Sequence, residues 1–259
     1  MQNKLSYGCK DLCVVISGGT SGIGLETARR LLEDGARVYL LGRSRERGMQ
    51  AMYYLQEKTG SNAVYIPCDV ASSAQCAAAI SKVAIREGEG FQLDILINSA
   101  GFYSEQRLEQ LTEADFDAMM AVNVKGMMLL TQAALPFLKE GSNVVNIASD
   151  AALKGNYGCA LYCATKGAVV AFSRALALDL APHVRVNCVC PADVDTPLLA
   201  KQLVDAAGGY TLADMATAYP LQRVANVGEV AHVVCSVASP ANSFMTGSIV
   251  AVDGGITAG

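Results

Sequence analysis

Short apolar runs alternate with longer amphipathic stretches along most of the chain, and this alternation restricts the possible folds most strongly. The apolar runs predict strands at Leu12–Ser17, Ala36–Leu41, Ala63–Cys68, Asp94–Asn98, Asn143–Ser149, Arg185–Val189 and Ser248–Val252. The stretches between them predict helices at Gly22–Glu33, Arg45–Lys58, Ser73–Arg86, Glu113–Phe137, Ala160–Leu180 and Gly228–Ala238. Strand–helix alternation is typical of βαβ units. We therefore expect an α/β fold: one doubly wound domain over residues 1–259, with a parallel seven-stranded sheet and helices on both faces.

One late segment, residues 192–227, breaks this rhythm. We predict no strand between Ala192 and Val227, and Gly208-Gly209 interrupts the segment. A late insertion with a flexible break is typical of a lid over a binding site, so we expect a substrate lid here. Its larger apolar residues predict a largely apolar pocket wall, which suits a bulky apolar ligand. These residues are Leu198, Leu199, Leu203, Val204, Tyr210, Leu212, Met215 and Tyr219.

Composition narrows the class of protein. A net charge of −4 argues against a nucleic-acid partner. The longest apolar stretch, Gly126–Leu138, is too short and too polar to span a membrane, which needs about 20 apolar residues. The nine cysteines are scattered and form no C-x-x-C pair, so we expect reduced thiols in a cytoplasmic protein, with Cys188 and Cys190 on opposite faces of their strand. With only two histidines, we expect no metal site.

A glycine-rich loop follows the first predicted strand and opens the first helix. Its residues run Ser17-Gly18-Gly19-Thr20-Ser21-Gly22-Ile23-Gly24. Glycines let backbone amides approach a pyrophosphate, and the helix N-terminus adds a favourable dipole. A glycine loop alone is often only a tight turn. Its position between strand and helix of the first βαβ unit favours a dinucleotide site.

The second strand is followed by Gly42-Arg43-Ser44-Arg45, where an NAD site would carry Asp or Glu. Arg43 stands 19 residues after Gly24, and no acid is near it. A guanidinium suits a 2′-phosphate because it binds two oxygens at once. We therefore expect NADP(H) to be preferred, with NAD(H) possible.

Tyr162 and Lys166 are four residues apart on one predicted helix, so they share a face. A lysine beside the phenol would favour phenolate and lower the pKa of the tyrosine, which suits proton transfer at neutral pH. Ser149 is expected at a strand end, where open α/β sheets bind ligands. Asn123 falls on the apolar face of its helix and should point inward. Asn98 ends the fourth strand, and a structural amide is the better interpretation of this residue.

These motifs together resemble the short-chain dehydrogenase/reductase family over nearly the whole chain. Ser17 replaces the usual Thr before the glycine loop, Ser99 replaces the second Asn of the family's Asn-Asn-Ala-Gly, and Ala192 replaces Gly. Six motifs follow in the family's order: Gly18–Gly24, Asp69-Val70, Asn98–Gly101, Asn123, Ser149 with Tyr162 and Lys166, and Pro191–Thr196; Val252-Asp253-Gly254-Gly255 resembles the family's C-terminal ending.

The resemblance implies a Rossmann-type domain, hydride transfer to or from nicotinamide, and a role for each residue. Tyr162 is the acid–base, Ser149 binds the substrate oxygen, Lys166 holds the nicotinamide ribose, and Asn123 holds a relay water. The resemblance also implies which residues contact the cofactor, in addition to the glycine loop and Arg43 discussed above. The expected cofactor-binding residues are Gly18, Thr20, Ser21, Gly22, Ile23, Gly24, Arg43, Ser44, Asp69, Val70, Asn98, Ala100, Gly101, Tyr162, Lys166, Pro191, Val194 and Thr196.

The predicted apolar pocket wall indicates the substrate. It suits a bulky secondary alcohol or ketone, and the leading example is a hydroxysteroid or bile acid. The runner-up is a 3-oxoacyl-[acyl-carrier-protein] reductase, which should show a basic docking patch, whereas the charges of Leu138–Ser142 cancel. A non-catalytic dinucleotide sensor is a second alternative. Helix Ala160–Leu180 is apolar nearly all round, and family members are commonly tetramers, so we expect a homotetramer.

Overall fold

The computed structural model describes residues 6–205 and 211–258. Seven strands form one sheet: β1 Cys13–Ser17, β2 Arg37–Gly42, β3 Val64–Pro67, β4 Leu93–Asn98, β5 Leu138–Ile147, β6 Arg185–Pro191 and β9 Ile249–Val252. Their order is β3-β2-β1-β4-β5-β6-β9, and every neighbouring pair is parallel. The fold is therefore the predicted seven-stranded Rossmann-type domain.

The helices are α1 Gly22–Glu33, α2 Arg45–Thr59, α3 Ser73–Glu87, α4 Glu113–Met120, α5 Met127–Ala134, α6 Ala160–Leu180, α7 Pro197–Asp205, α8 Leu212–Ala216 and α9 Val227–Ala238. Alternating side chains of the sheet divide the core in two, as a pleated strand requires. Val14 and Ile16 of β1 pack in one core with α1, α2 and α9. Val15 packs in the other with α3, α5 and α6. Helices thus cover both faces, as predicted.

Local signals explain where helices begin and end. The hydroxyl of Ser44 accepts the amide hydrogen of Arg47 and starts α2, which ends at Gly60 with a left-handed φ of 70°. Thr112 and Asp115 form a reciprocal capping box at the start of α4. The predicted helix Glu113–Phe137 is continuous, but Ala121–Gly126, between α4 and α5, form a π-helical segment (called the π-turn below). Phe116, which we assigned to the apolar stripe of this helix, is half exposed.

Two strand predictions need correction. Strand β5 starts earlier than predicted, because Leu138 already pairs with Leu93, and a register shift follows. It ends at Ile147, so Ser149 lies two residues beyond the ladder, although its backbone is still extended. Cys188 and Cys190 face the same side of β6, since residues two apart on a strand share a face.

The segment 192–227 contains two short strands that we did not predict. Val194–Asp195 (β7) pairs in parallel with Ala225–Asn226 (β8) and joins the two ends of the segment. Helices α7 and α8 lie between these strands. The Gly208-Gly209 break and Tyr210 lie outside the described residues, and the side chain of Val204 is not described.

Two helical stretches, Glu113–Phe137 and Ala160–Leu180, are long and apolar enough to cross a bilayer by length and composition alone. Both contact the sheet or each other within the helix layer. Core helices of this kind pass the same test, so length and hydropathy assign neither of them to a membrane.

Candidate active site

The glycine loop occupies the carboxyl end of β1, between β2 and β4. Gly18 has a φ of 67°, and a Cβ there would lie 2.8 Å from backbone atoms of Ser99 and Ala100. At Gly24 a Cβ would lie 2.4 Å from the carbonyl oxygen of Gly18. Both glycines are therefore required by close backbone approach within the protein, before any ligand is considered.

The first turn of α1 suits an anion. It has no acidic residue, and Ser21 at its start makes no side-chain capping bond. Gly22 has a φ of 52°, and a Cβ there would lie 3.3 Å from Cγ2 of Thr196. The loop therefore faces the segment after β6 across a narrow gap, with backbone N–H groups at the positive end of the helix dipole. Ile23 packs against the core, and Thr20 lies against Gly42 at the end of β2.

Arg43 and Ser44 follow β2 and are exposed. The ion pairs of the described residues include none for Arg43. Asp69 and Val70 follow β3: Asp69 accepts the amide hydrogen of Ala71 at 3.0 Å, and Val70 is buried. These groups stand beyond the carboxyl ends of two adjacent strands, on the side where α/β sheets bind nucleotides.

Asn98 serves the interior of the sheet. Its Nδ2 donates to Thr131 Oγ1 at 3.0 Å and to Asn146 Oδ1 at 2.8 Å. The side chain is buried, and both amide hydrogens are used. Its neighbourhood fits the structural alternative rather than a direct side-chain contact with a cofactor. Ala100 and Gly101 continue from it along the edge, and the Ala100 amide donates to Ser17 Oγ.

On the opposite side of the cleft, Pro191 ends β6 and Val194 lies buried in β7. Thr196 Oγ1 accepts the amide hydrogen of Leu199 at the start of α7. The glycine loop, Thr196 and the start of α1 lie next to one another, and the first turn of α1 holds no acidic residue. These residues fit the phosphate groups of a dinucleotide, which the backbone N–H groups of the loop and of the start of α1 would hold.

Asn123 lies on the π-turn and is buried. Its Oδ1 accepts the Phe102 amide hydrogen at 2.7 Å, and its Nδ2 donates to the Phe102 carbonyl at 2.8 Å and to Thr165 Oγ1 at 3.1 Å. Asn123 therefore clamps the loop after β4 to α6. A Cβ added at Gly101 would lie within 4 Å of both Lys166 Nζ and Asn123 Oδ1, so the three residues adjoin.

Ser149, Tyr162 and Lys166 come together at the end of β5 and the start of α6. Ser149 lies close enough to the Tyr162 hydroxyl to influence the pKa of that phenol. Lys166 is buried, and its Nζ donates to the Ile147 carbonyl at 3.0 Å and lies 5.7 Å from the Tyr162 ring centroid. The structure thus brings these three predicted side chains together, and Asn123 adjoins Lys166.

The electrostatics differ from our expectation. Burial raises the pKa of Tyr162 well above its usual value, and the negative charge of Asp150 adds to this, while the Ser149 hydroxyl opposes it. Burial also lowers the pKa of Lys166 to about 8. The pKa of Tyr162 is raised and not lowered as we predicted, because the effect of burial dominates and the Lys166 ammonium donates to the Ile147 carbonyl.

Other groups complete the wall around Tyr162. The ring of Tyr103 contacts it edge-on, with centroids 4.8 Å apart. Asp193 accepts a hydrogen bond from the Tyr219 hydroxyl at 2.5 Å, and burial raises the pKa of that carboxyl. Asp150 accepts from Ser149 and pairs with Lys154. The sequence indicated Asp150 and Lys154 but missed Tyr103, whose one signal was its position two residues after Gly101.

The structure corrects two observations on which the predicted substrate depended: the location of Leu138–Ser142 and the exposure of the apolar residues in the segment 192–227. Leu138–Ser142 lies at the beginning of β5, whereas Ser149 follows its end, so this segment does not border the cleft. Its Lys139 pairs with Asp94 at 2.6 Å. Of the predicted apolar wall, Leu199, Met215 and Tyr219 are buried, while Leu198 and Leu212 are substantially exposed.

Among residues 6–205 and 211–258, no group of three or more His, Cys, Asp or Glu side chains is placed to hold a metal ion. The nine cysteines are free, and eight of them are buried. The chemistry of the cluster therefore rests on a phenol, a hydroxyl, an ammonium and an amide.

Comparison with known proteins agrees with this geometry. Residues 18–257 match a family model described as enoyl-(acyl carrier protein) reductase. The chain is 36% identical to L-fucose dehydrogenase of Mus musculus over 95% of this chain and 88% of that protein. A short-chain dehydrogenase/reductase structure from Brucella melitensis, named as a glucose/ribitol dehydrogenase, shares 32% identity with a TM-score of 0.89, covering 97% of this chain and 99% of that one.

A second structure, a short-chain dehydrogenase from Burkholderia cenocepacia in complex with NADP, shares 31% identity with a TM-score of 0.86 and covers 96% of this chain and 99% of that one. The family match, the sheet order and the Ser149–Tyr162–Lys166 cluster agree. The chain is a member of the short-chain dehydrogenase/reductase family, oxidoreductases that act on CH–OH groups with NAD(P)(H).

Proposed function

We propose that this oxidoreductase uses NADP(H) to interconvert a bulky, largely apolar secondary alcohol and its ketone, with a hydroxysteroid or bile acid as the leading substrate. The observation that supports the reaction is the grouping of Ser149, Tyr162 and Lys166 at the carboxyl edge of the sheet, where the buried Lys166 ammonium lies 5.7 Å from the Tyr162 ring centroid. The runner-up substrate is a carrier-linked 3-oxoacyl group. The segment 192–227 is proposed as the lid that covers the substrate.

The proposed roles follow from the contacts. When bound, the cofactor supplies or accepts a hydride at the substrate carbon. Tyr162 gives a proton to the ketone oxygen in reduction and takes one from the alcohol in oxidation, and its raised pKa keeps it protonated for reduction. Ser149 positions the substrate oxygen. Lys166 anchors the nicotinamide side, and Asn123 holds the Phe102 loop and the start of α6 in register.

Replacing the proposed acid tests this assignment. Tyr162→Phe keeps the ring packed against Tyr103 but removes the hydroxyl. We expect kcat to fall by about 10²-fold or more, because general acid–base catalysis contributes this much, while NADPH affinity stays nearly unchanged. Tyr157→Phe removes an equal hydroxyl from a fully exposed tyrosine and serves as the control. A Tyr162→Phe enzyme with near-parental turnover would show that another group transfers the proton.

NADP(H) selectivity is proposed to depend on Arg43. The guanidinium is exposed beyond β2, without an ion pair among the described residues, and Ser44 beside it uses its oxygen to cap α2. A free cation at this place would bind a 2′-phosphate bidentately, and the start of α1 would bind the pyrophosphate.

Arg43→Ala should weaken NADPH binding by roughly tenfold or more, the usual loss for a charge-assisted hydrogen bond, and barely change NADH binding. Fluorescence titration of the reduced cofactors measures both constants. Arg47→Ala, which removes an exposed arginine in the first turn of α2, is the matched control. Equal losses for NADPH and NADH would show that Arg43 does not bind the 2′-phosphate.

The choice of substrate depends on the outer pocket. Leu198 and Leu212 of the segment 192–227 leave 48% and 41% of their surface exposed and would gain burial against a bulky ligand. Leu199 and Met215 are already buried, so they support the segment. The side chains next to Tyr162 are polar, so a few groups there can recognise the reacting oxygen of the substrate. The exposed leucines of the segment 192–227 would then contact the apolar remainder of the substrate.

A substrate panel decides between the candidates. We expect kcat/KM with NADP(H) to be higher for hydroxysteroids or their ketones than for a carrier-linked 3-oxoacyl substrate. A tenfold preference, about 1.4 kcal/mol of transition-state binding, is the threshold. The same preference in the opposite direction would make the carrier-linked reductase the better assignment.

Assembly as a homotetramer in the cytoplasm is also proposed. The outward side of α6 is mostly small and apolar, and Leu178 on it is 82% exposed. Apolar surface of this kind is stabilised by a partner subunit. Light scattering at micromolar concentration should give about four times the 27.1 kDa chain mass. A monomer mass would contradict the proposal.

A further inference from the structure

Tyr103 lies in the loop that follows β4, and its ring packs against the ring of Tyr162. The two ring centroids are 4.8 Å apart and the ring planes meet at 77°, which is the edge-to-face geometry that aromatic pairs prefer. The hydroxyl of a tyrosine moves whenever its ring rotates. A neighbouring ring that restricts this rotation therefore restricts where the Tyr162 hydroxyl can lie.

The backbone on both sides of Tyr103 is fixed by hydrogen bonds. Before it, the side chain of Asn123 holds the N–H and C=O groups of Phe102, at 2.7 and 2.8 Å. After it, the amide of Gln106 donates to the carbonyl of Gly158 at 2.8 Å, just before α6 begins. Asn123 also donates to a threonine of α6. The loop is therefore attached at both ends to the helix that carries the proposed acid.

The hydroxyl of Tyr103 gives its ring a third anchor. It lies 3.3 Å from Sγ of Cys159 and donates to Oε2 of Glu105 at 3.2 Å. Cys159 is the N-cap residue of α6, yet its buried side chain makes no capping bond and contacts Tyr103 instead. Burial, together with these two neighbours, raises the pKa of Tyr103, so its phenol stays neutral. Tyr103 is thus suited to fix a position and not to exchange a proton.

We propose that Tyr103 is a positioning residue: its ring, anchored through Cys159 and the loop after β4, holds the ring of Tyr162 so that the Tyr162 hydroxyl meets the substrate oxygen. The inference rests on the proposed acid–base role of Tyr162. It adds to the cluster at the end of β5 a side chain from another loop, which would act on the reaction only through Tyr162.

The contact is weak in free energy, but it acts on a reacting group. An aromatic pair adds only a modest stabilisation beyond the area that it buries. Reaction rates depend much more steeply on geometry, because misplacement of a reacting group by about 1 Å can lower the rate by about 10²-fold. Loss of the Tyr103 ring should therefore slow proton transfer more than it weakens folding or cofactor binding.

The test compares Tyr103→Leu, which removes the aromatic ring, with Tyr103→Phe, which removes only the hydroxyl. We expect kcat of Tyr103→Leu to fall by about tenfold or more, with NADPH affinity from fluorescence titration unchanged. Tyr103→Phe should keep most of the parental turnover, because the ring contact and both backbone anchors remain. Tyr157→Leu makes the same replacement at a fully exposed tyrosine and is the matched control.

A double-mutant cycle with Tyr162→Phe shows whether Tyr103 acts through the Tyr162 hydroxyl. Tyr162→Phe keeps the ring that Tyr103 contacts and removes the group that this contact is proposed to position. Tyr103→Leu should therefore slow the parent enzyme but leave the residual rate of the Tyr162→Phe enzyme nearly unchanged. A purely structural role of Tyr103 would slow both enzymes by the same factor.

Three results would each overturn the inference: parental turnover in Tyr103→Leu, equal losses in Tyr103→Leu and Tyr103→Phe, or additive losses in the cycle. Should Tyr103→Leu fold poorly in thermal melting, Tyr103→Met fills the same space with a flexible apolar chain and takes its place with the same expectations.

Failure of the proposed function looks different. If Tyr162→Phe alone keeps near-parental turnover, the acid–base assignment is wrong, whatever Tyr103→Leu does. If Tyr162→Phe is inactive and Tyr103→Leu is as fast as the parent, only the role of Tyr103 is wrong.

Discussion

One row of polar residues across the sheet determines where the structural core ends and the site begins. Ser17, Asn98, Asn146 and Cys188 are register partners on four adjacent strands. Asn98 donates to Asn146, which donates to Ser173 Oγ on α6. Buried amides are stable only when they are hydrogen-bonded, so this row fixes the strands to each other and fixes α6 to the sheet. The residues one or two positions beyond it form the cleft.

The catalytic cluster depends on this attachment. Lys166 lies two turns before Ser173 on α6, and its ammonium reaches the carbonyl of Ile147, one residue after Asn146. The same helix carries Tyr162, while β5 leads to Ser149. Because two interactions between α6 and β5 are made behind the reacting groups, the distance from phenol to hydroxyl is set by the core rather than by the loops.

Much of this arrangement was predictable because it follows from local pattern. Buried parallel strands and their crossover helices have distinct lengths and periods, and the carboxyl edge of a parallel sheet brings the ends of β1, β4 and β5 together. Residues on those ends, and the pair Tyr162 and Lys166 on one helix face, were therefore found from sequence. Features that depend on distant partners were not. The π-turn at Ala121–Gly126 accompanies the bonds of Asn123 to Phe102, and β7 is only two residues long and pairs with residues about thirty positions away.

Electrostatics were the least predictable part, since charge depends on burial as much as on neighbours. Spacing alone put Lys166 beside Tyr162, but not the carbonyl that takes its hydrogen bond or the burial that lowers its pKa. Nor does spacing show that the Ser149 hydrogen is directed to Asp150. In a buried cluster a proton moves easily only if its charge is balanced at every stage. Here the balancing groups come from β5, α6 and the turn after Ser149, so the acid strength of Tyr162 is a property of the folded edge of the sheet and not of the Tyr–Lys motif alone.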